Sequence, residues 1–476
     1  MCGEFFEEGF VLKELAIKKK YVGDRAFYKM IMGIAVPMMI QNGISSFVSA
    51  LDNLMIGRVG TNALSGVAIS NQLIFVFNLL IFGASAGVGI FTAQYYGMKD
   101  MEGVRFTFRF KVLINTFLSI CSILVFLFFS GYLISRFLQG EGTVEDAEET
   151  LKVGQTYMRI MLIGLIPVGV SYAYAGTLRE MGETKAPMVA SFLAIVVNLV
   201  GNVVLIYGFL FIPALGAAGA AIATVISRFV ELTVLAVYTA KHSDKYSFVI
   251  GAFTQCRVPL VLCKRFIIKS LPLIANETLW ALGQTIKTQS FSFRSLDAVA
   301  ALNIQSTIGN LLSVAFLALG EAVGIVVGQI LGSGEIEKAK DHARKMIAAN
   351  VFLGFVFGLL LCAIAPLYPQ FYKTTDEIKH MATLFILING GLMPLYAFTH
   401  ASYFTIRSGG NTGITFVFDC CFEWLLAVPA AVLLSRYTNL SVFYMLLIVQ
   451  SLEIIKCIIG WAMVHSGIWA KSIAAR

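Results

Sequence analysis

Charge is what this chain has least of. Only 13% of its 476 residues are Asp, Glu, Lys or Arg, where soluble domains carry about 25%. Apolar residues make up 58%, more than a fold in water can hide. The scarcity of charge therefore argues against a soluble protein and for one whose apolar surface meets lipid. Tryptophan is rare as well, four residues against 38 phenylalanines. Motifs of soluble chemistry are missing. There is no H-E-x-x-H, and His242, His342, His380, His400 and His465 are scattered. No G-x-x-x-x-G-K-[ST] occurs, which excludes ATP hydrolysis by that route. No long polar stretch is available to hold chemistry, so an integral membrane enzyme is only a remote alternative. None of the eight cysteines forms a C-x-x-C. They read as reduced packing residues, with no disulfide and no metal site. Met1 to Lys29 has no cleavable apolar core, so the first span is expected to serve as the insertion signal.

What the chain does have is a repeat. Val88-Gly89-Ile90, Gln94, Gly97, Glu102 and Arg109 return as Val323-Gly324-Ile325, Gln329, Gly332, Glu337 and Arg344, at a constant offset of 235 residues. Pro37 meets Pro272 at the same offset. A second echo, 228 residues apart, pairs Arg179-x-x-Gly182-x-Thr184 with Arg407-x-x-Gly410-x-Thr412. Twelve apolar segments of about 20 residues fit a ~30 Å hydrocarbon core. The expected fold is an all-α integral membrane protein, with twelve transmembrane helices in two six-helix lobes. An even number of spans per copy inserts both copies in the same direction, related by a pseudo-twofold axis along the membrane normal.

The expected division is a cytoplasmic N-terminal segment (1–29), an N-lobe (30–239), a cytoplasmic linker (240–265), a C-lobe (266–464) and a cytoplasmic C-terminal tail (465–476). Loop charge sets the orientation. With both termini inside, the cytoplasmic face collects Lys13, Lys18, Lys19, Lys20, Lys99, Arg105, Arg109, Lys111, Lys338, Lys340 and the basic linker. The acidic loop with Glu141 and Glu145 then falls outside. The net charge of +8 is read as this orientation signal and not as a nucleic-acid surface.

Several motifs, in order, carry a resemblance. Pro37 precedes Ala50-Leu51-Asp52-Asn53-Leu54-Met55-Ile56-Gly57-Arg58 in the first span. The fifth span has Asn198-x-x-x-Asn202 and Leu205-Ile206-Tyr207-Gly208, and leads through Pro213 and Leu215-Gly216-Ala217-Ala218-Gly219 to Ala223-Thr224. Together with the doubled elements, this resembles the multidrug and toxic-compound extrusion (MATE) family of secondary transporters, over nearly the whole chain from about residue 28. The resemblance implies an antiporter in the cell membrane that exports amphipathic, often cationic, compounds by alternating access. Inward flow of H+ or Na+ would drive it. It implies no cofactor beyond that ion, and as partners only membrane lipid and a small organic substrate. A monomer is expected. The alternative within the wider superfamily is a flippase for lipid-linked saccharides, which would favour a more cationic cavity and extra helices.

Asp52 is the leading coupling residue. A carboxylate late in a membrane helix is expensive unless it faces a cavity or a partner, and with amide and hydroxyl oxygens it suits a proton or Na+. Asn198 and Asn202, one turn apart, converge on one helix face. With Asp52 and Thr224 they would complete an oxygen cage. Relatives with a well-formed N-lobe site often have Asp where this chain has Asn202, so the departure removes a charge. In the C-half Glu277, five residues after Pro272, is the matching candidate. It stands about one turn before the glutamate of relatives, and the aspartate those relatives place in the tenth span is missing. The repeat sets Asp52 opposite Lys287 and Glu277 opposite Asn42. Lys287 needs a counter-charge, for which Asp419, Glu423 and Glu321 are available; a cluster of Lys287, Glu277 and Asp419 is expected. Gln41, Asn42, Gln284, Trp280, Met38 and Met39 are candidate cleft residues, since Met and aromatic side chains adapt to varied apolar shapes. Pro37 and Pro272 permit helix bending.

Overall fold

The computed structural model describes residues 20–138, 144–209, 211, 213–254 and 257–474. Cys2, Lys13, Lys18, Lys19, Glu141 and Cys256 lie outside the described residues, as do most of the N-terminal segment and the end of the tail.

Among the described residues there are twelve long helices: α1 (Arg25–Gly57), α2 (Thr61–Gly97), α3 (Met101–Phe137), α4 (Val144–Glu180), α5 (Lys185–Tyr207), α6 (Gly216–Lys241), α7 (Leu260–Ser292), α8 (Leu296–Gly332), α9 (Ile336–Ile364), α10 (Asp376–Ser408), α11 (Thr412–Tyr437) and α12 (Val442–Ser466). Eleven are long and apolar enough to cross a membrane. The other is α7, which is as long as α1 but is interrupted by Lys264, Arg265, Lys269, Asn276, Glu277, Gln284 and Lys287. Helix is what such segments must form, because hydrocarbon offers the backbone no partner outside its own ladder. Pro37, Pro167, Pro272 and Pro394 sit inside α1, α4, α7 and α10, which continue past them. Polar caps mark some starts. Asp100 accepts from Gly103 N at 2.9 Å before α3, and Thr375 accepts from Ile378 N at 3.4 Å before α10.

Two helices are not regular. In α11, Val417–Cys421 and Glu423–Ala427 are π-helical. Helix α12 is two segments, Val442–Ser451 and Glu453–Ser466, joined at Leu452.

The chain forms two compact units. The N-unit comprises Ile40–Thr92 and Asp100–Thr278; the C-unit comprises the residues up to Met39, Ala93–Lys99 and the residues from Leu279 onward. Helices α1, α2 and α7 each contribute to both.

In the N-unit α5 packs on α6, and α4 on both α3 and α6. The α5–α6 crossing is close because α6 opens with small residues. A Cβ on Gly219 would stand 2.3 Å from Leu205 O, the kind of backbone approach that small residues allow in membranes. Lys111, fully buried on α3, is bonded to Glu180 and to Thr177 Oγ1 on α4. The loop-charge reading placed Lys111 in an aqueous loop; it is instead a buried ion-pair partner. The linker is docked by basic side chains. Arg105 Nη2 donates to Ser247 O at 3.0 Å, while Arg109 donates to Gly251 O at 2.7 Å and Ala252 O at 3.1 Å. Glu183 ties down its start, accepting from Tyr246 Oη at 2.8 Å and Lys245 Nζ at 3.2 Å. Burial acts to raise the Glu183 pKa, but these hydrogen bonds and the Lys245 charge prevail and hold the carboxyl below the usual carboxylate range.

In the C-unit α8, α9 and α10 pack on one another around Leu319, Val323, Val327, Met346 and Phe404. The doubled Q-x-x-G elements meet here, reciprocally. A Cβ on Gly97 would lie 1.9 Å from Gln329 O, and one on Gly332 would lie 2.0 Å from Gln94 O. Each glycine admits the carbonyl of the other element's glutamine. The Gln94 side chain, fully buried, donates to Ser408 O at 2.9 Å and accepts from Ile473 N at 2.7 Å, fastening the last described residues.

Candidate functional site

Asp52, Asn198, Asn202 and Thr224 come together in the N-unit. Asn202 Nδ2 donates to Asp52 Oδ1 at 2.6 Å and lies 3.3 Å from Asn198 Oδ1. Asn198 Nδ2 donates to Thr224 Oγ1 at 3.1 Å, and Thr224 donates onward to Ala220 O at 2.9 Å. Helix α5 supplies two of the four residues and α1 and α6 one each, and the Gly219 approach brings Thr224 within reach of Asn198. Asn202 is only 1% exposed, so its amide is aimed at the carboxylate and not at solvent. The result is a single carboxylate in a cradle of amide and hydroxyl groups. Such a group can take up one proton, or offer oxygens to a hard cation.

The same three helix faces carry the polar line further. Ser191 recurs at helical spacing with Asn198 and Asn202 on α5, as Glu231 and Arg228 do with Thr224 on α6, and Gln41 with Asp52 on α1. Arg228 stands within electrostatic reach of Asp52. Its guanidinium Nη1 is 3.0 Å from Glu231 Oε2. Ser191 Oγ donates to Glu231 Oε1 at 2.7 Å and accepts from Gln41 Nε2 at 2.6 Å. Arg179 Nη2 then donates to Gln41 Oε1 at 2.8 Å. Sequence reasoning passed over Arg228, Glu231 and Ser191. The signal was there: an i, i+3 Arg/Glu pair inside an apolar span is expensive without a purpose.

The C-unit holds a second group of charges. Lys287 Nζ lies 2.7 Å from Glu423 Oε1, so Glu423 is its counter-charge. Gln284, on the same helix, lies 3.2 Å from both Lys287 Nζ and Trp280 Nε1, and accepts from both with its amide oxygen towards them. Asp419 pairs instead with Lys456 at 2.6 Å, a residue of α12 that sequence reasoning did not single out. Lys456 is also 4.0 Å from Glu453, whose Oε1 accepts from Thr399 Oγ1 at 2.7 Å. The expected joint cluster is thus two ion pairs, Lys287–Glu423 and Lys456–Asp419. The acid of each pair stands on its own π-helical stretch of α11. Glu277 is half-buried on α7, about three turns before Lys287, and Glu321 is half-buried on α8.

The proposed cleft residues separate into kinds. Met38 is enclosed in the C-unit core and Met39 packs against that core. Gln41 belongs to the polar line of the N-unit. Asn42 is half-buried and Trp280 is exposed. Among the described residues, no group of His, Cys, Asp and Glu is arranged to hold a metal ion.

Comparison with known proteins agrees with this architecture. The MatE family profile matches residues 37–204 and 272–433, more than half of the chain. The probable multidrug resistance protein YoeA of Bacillus subtilis is 26% identical over 410 residues, 86% of this chain and 87% of that protein. The probable multidrug resistance protein NorM of Thermotoga maritima is 23% identical over 423 residues, 87% of each chain. Among solved structures, the Vibrio cholerae MATE transporter VcmN superposes with a TM-score of 0.83 at 16% identity, covering 95% of this chain and 99% of that one. A MOP superfamily transporter from Pyrococcus furiosus gives a TM-score of 0.81 at 18% identity, covering 95% and 98%. The structural likenesses establish an all-α, twelve-helix membrane fold. Since the family profile falls on both copies of the repeat, this chain belongs to the MATE family of membrane transporters.

Proposed function

We propose that this protein is a cation-coupled antiporter that exports amphipathic, often cationic, organic compounds by alternating access, with Asp52 carrying the coupling ion. The observation that supports it most is the Asp52 carboxylate held by Asn202, with Asn198 and Thr224 behind it. The multidrug resistance relatives agree with such a substrate class. A proton is the coupling ion in this reading, because the cradle holds one carboxylate and Asn202 adds no second charge. Protonation of Asp52 removes the charge that Arg228 feels and leaves Arg228 to Glu231. Deprotonation restores the competition, so ion binding changes the balance of forces between α1 and α6. Bending at Pro37 and Pro272 is the movement proposed to follow. In the C-unit, Lys287–Glu423 and Lys456–Asp419 serve as structural ion pairs, and Glu277, on the N-unit part of α7, is a secondary coupling residue. Both termini lie in the cytoplasm, and the protein works as a monomer in the cell membrane.

The test is efflux of a lipophilic cation such as ethidium from proteoliposomes under separately imposed pH and Na+ gradients. A pH gradient is expected to drive accumulation against the ethidium gradient, and a Na+ gradient alone to drive little. Equal rates with no ion gradient would mean facilitated diffusion and would overturn the reading.

A further inference from the structure

In the C-unit, α9, α10, α12, the segment that follows α12 and Tyr21 ahead of α1 surround a cavity of about 390 Å³. Among the described residues, Tyr21, Lys340, Arg344 and His465 line it with no acidic residue beside them, and Trp461, Trp469 and Phe398 form its walls. Trp461 stacks on His465, with ring centroids 5.2 Å apart and planes 5° from parallel. It is 60% exposed, whereas Trp469 is buried. The site therefore has a basic end and an aromatic side open to the surface.

The repeat shows what this site is missing. At the offset of 235 residues, Lys340 corresponds to Arg105 and Arg344 to Arg109. In the N-unit both arginines are occupied by backbone carbonyls: Arg105 by Ser247 O, and Arg109 by Gly251 O and Ala252 O. In the C-unit Arg344 makes no hydrogen bond or ion pair with any described residue. Lys340 meets Glu337, one turn back, at 2.7 Å. Arg344 is half-buried, and its guanidinium brings up to five donors to the lining of the cavity. An acceptor from outside the chain would replace the carbonyls that serve the first copy.

We propose that this cavity binds the anionic headgroup of a membrane phospholipid, with phosphate oxygens on Arg344 and Lys340 and an acyl chain along Trp461 and Phe398. The planar guanidinium matches two phosphate oxygens at once. Helices α9 and α12 are long and apolar enough to cross the membrane, and a basic pocket between such helices at the membrane surface suits a lipid phosphate. Tryptophan is favoured at that depth, where one side meets headgroups and the other meets chains. The exposed aromatic wall points to a lipid instead of a free anion, which would gain nothing from it.

Native mass spectrometry of the full-length protein in detergent, with equal amounts of phosphatidylglycerol and phosphatidylcholine added, tests the proposal. Wild type and Lys338→Gln, an exposed base on the same helix, should retain phosphatidylglycerol in preference. Arg344→Gln should lose about fivefold of that retention with phosphatidylcholine unchanged. Thermal melting checks that the variant is folded, and Trp461→Ala on the rim should weaken retention in the same direction if Arg344→Gln is not. Equal phosphatidylglycerol retention by wild type and folded Arg344→Gln would overturn the proposal. So would replacement of the lipid by inorganic phosphate alone, which would make it a free-anion site. Lipid binding only after removal of residues 2–19 would overturn it as well, making that segment the occupant.

Discussion

At the residue scale the membrane interior raises the stakes of every charge, and this chain answers by pairing. Lys111 with Glu180, Lys287 with Glu423, and Lys456 with Asp419 are each held within hydrogen-bond distance. Losing one member of a buried pair leaves the other uncompensated, at a cost of about 3–5 kcal/mol. Lys111→Met is therefore expected to lower the melting temperature in detergent sharply, and Lys111→Met with Glu180→Gln to recover most of the loss; a single variant as stable as wild type would refute the pairing as a stabiliser. Asp52 differs from these carboxylates because its direct partner is the neutral amide of Asn202 and its nearby cation, Arg228, is already engaged with Glu231. Sequence alone made Asp52, Asn198, Asn202 and Thr224 legible, since their residue types and order carry the family pattern. Partner choice was not legible. Lys287 had three acids to choose from in the sequence, and only packing decides for Glu423. Lys456 was not singled out because one lysine in a long apolar run gives no sign of which helix it will face.

At the element scale, small residues and backbone irregularities place the candidate side chains. Gly219 lets α6 approach α5, so Gly219→Ala is expected to cost about 1–3 kcal/mol by overpacking and to loosen the Asn198–Thr224 contact. A melting curve together with ethidium efflux would check both; an unchanged protein would show that the crossing has room to spare. The π-helical stretches of α11 turn Asp419 and Glu423 towards different partners. Hydropathy could not reveal them, because a π turn and an α turn have the same apolar content. Span number was legible for the opposite reason: eleven long apolar runs leave hydrocarbon no other backbone to accept, and the repeat supplies α7 as the partner of α1. Helix ends were less so, since α4 begins within the acidic stretch read as a loop. The linker carries a pH prediction. Glu183 is held below the usual carboxylate range, so its share of linker docking is complete above that range and is lost as pH falls through its lowered value. Amide exchange of Tyr246 and its neighbours should accelerate in that acid window, and Glu183→Gln should remove the dependence; exchange that stays flat with pH would count against the assignment.

At the scale of the whole molecule, duplication explains both what is shared and what is not. The doubled glutamines and glycines meet in one reciprocal crossing, so Gly97→Ala and Gly332→Ala each force the same contact open. Their effects on thermal stability should be similar, and the double variant should fall short of their sum; strict additivity would mean that the two contacts act independently. The copies diverge at particular charged positions. In the repeat Asp52 aligns with Lys287, and Arg109, bonded to the linker, aligns with Arg344, which the linker does not reach. We propose that the first of these divergences couples ion flow to export. Proteoliposomes containing wild type or Asp52→Asn, with ethidium inside and an imposed pH gradient, test it most directly. Asp52→Asn is expected to fold, to exchange ethidium down its own gradient still, and no longer to respond to the pH gradient. Undiminished gradient-driven export by Asp52→Asn would contradict it.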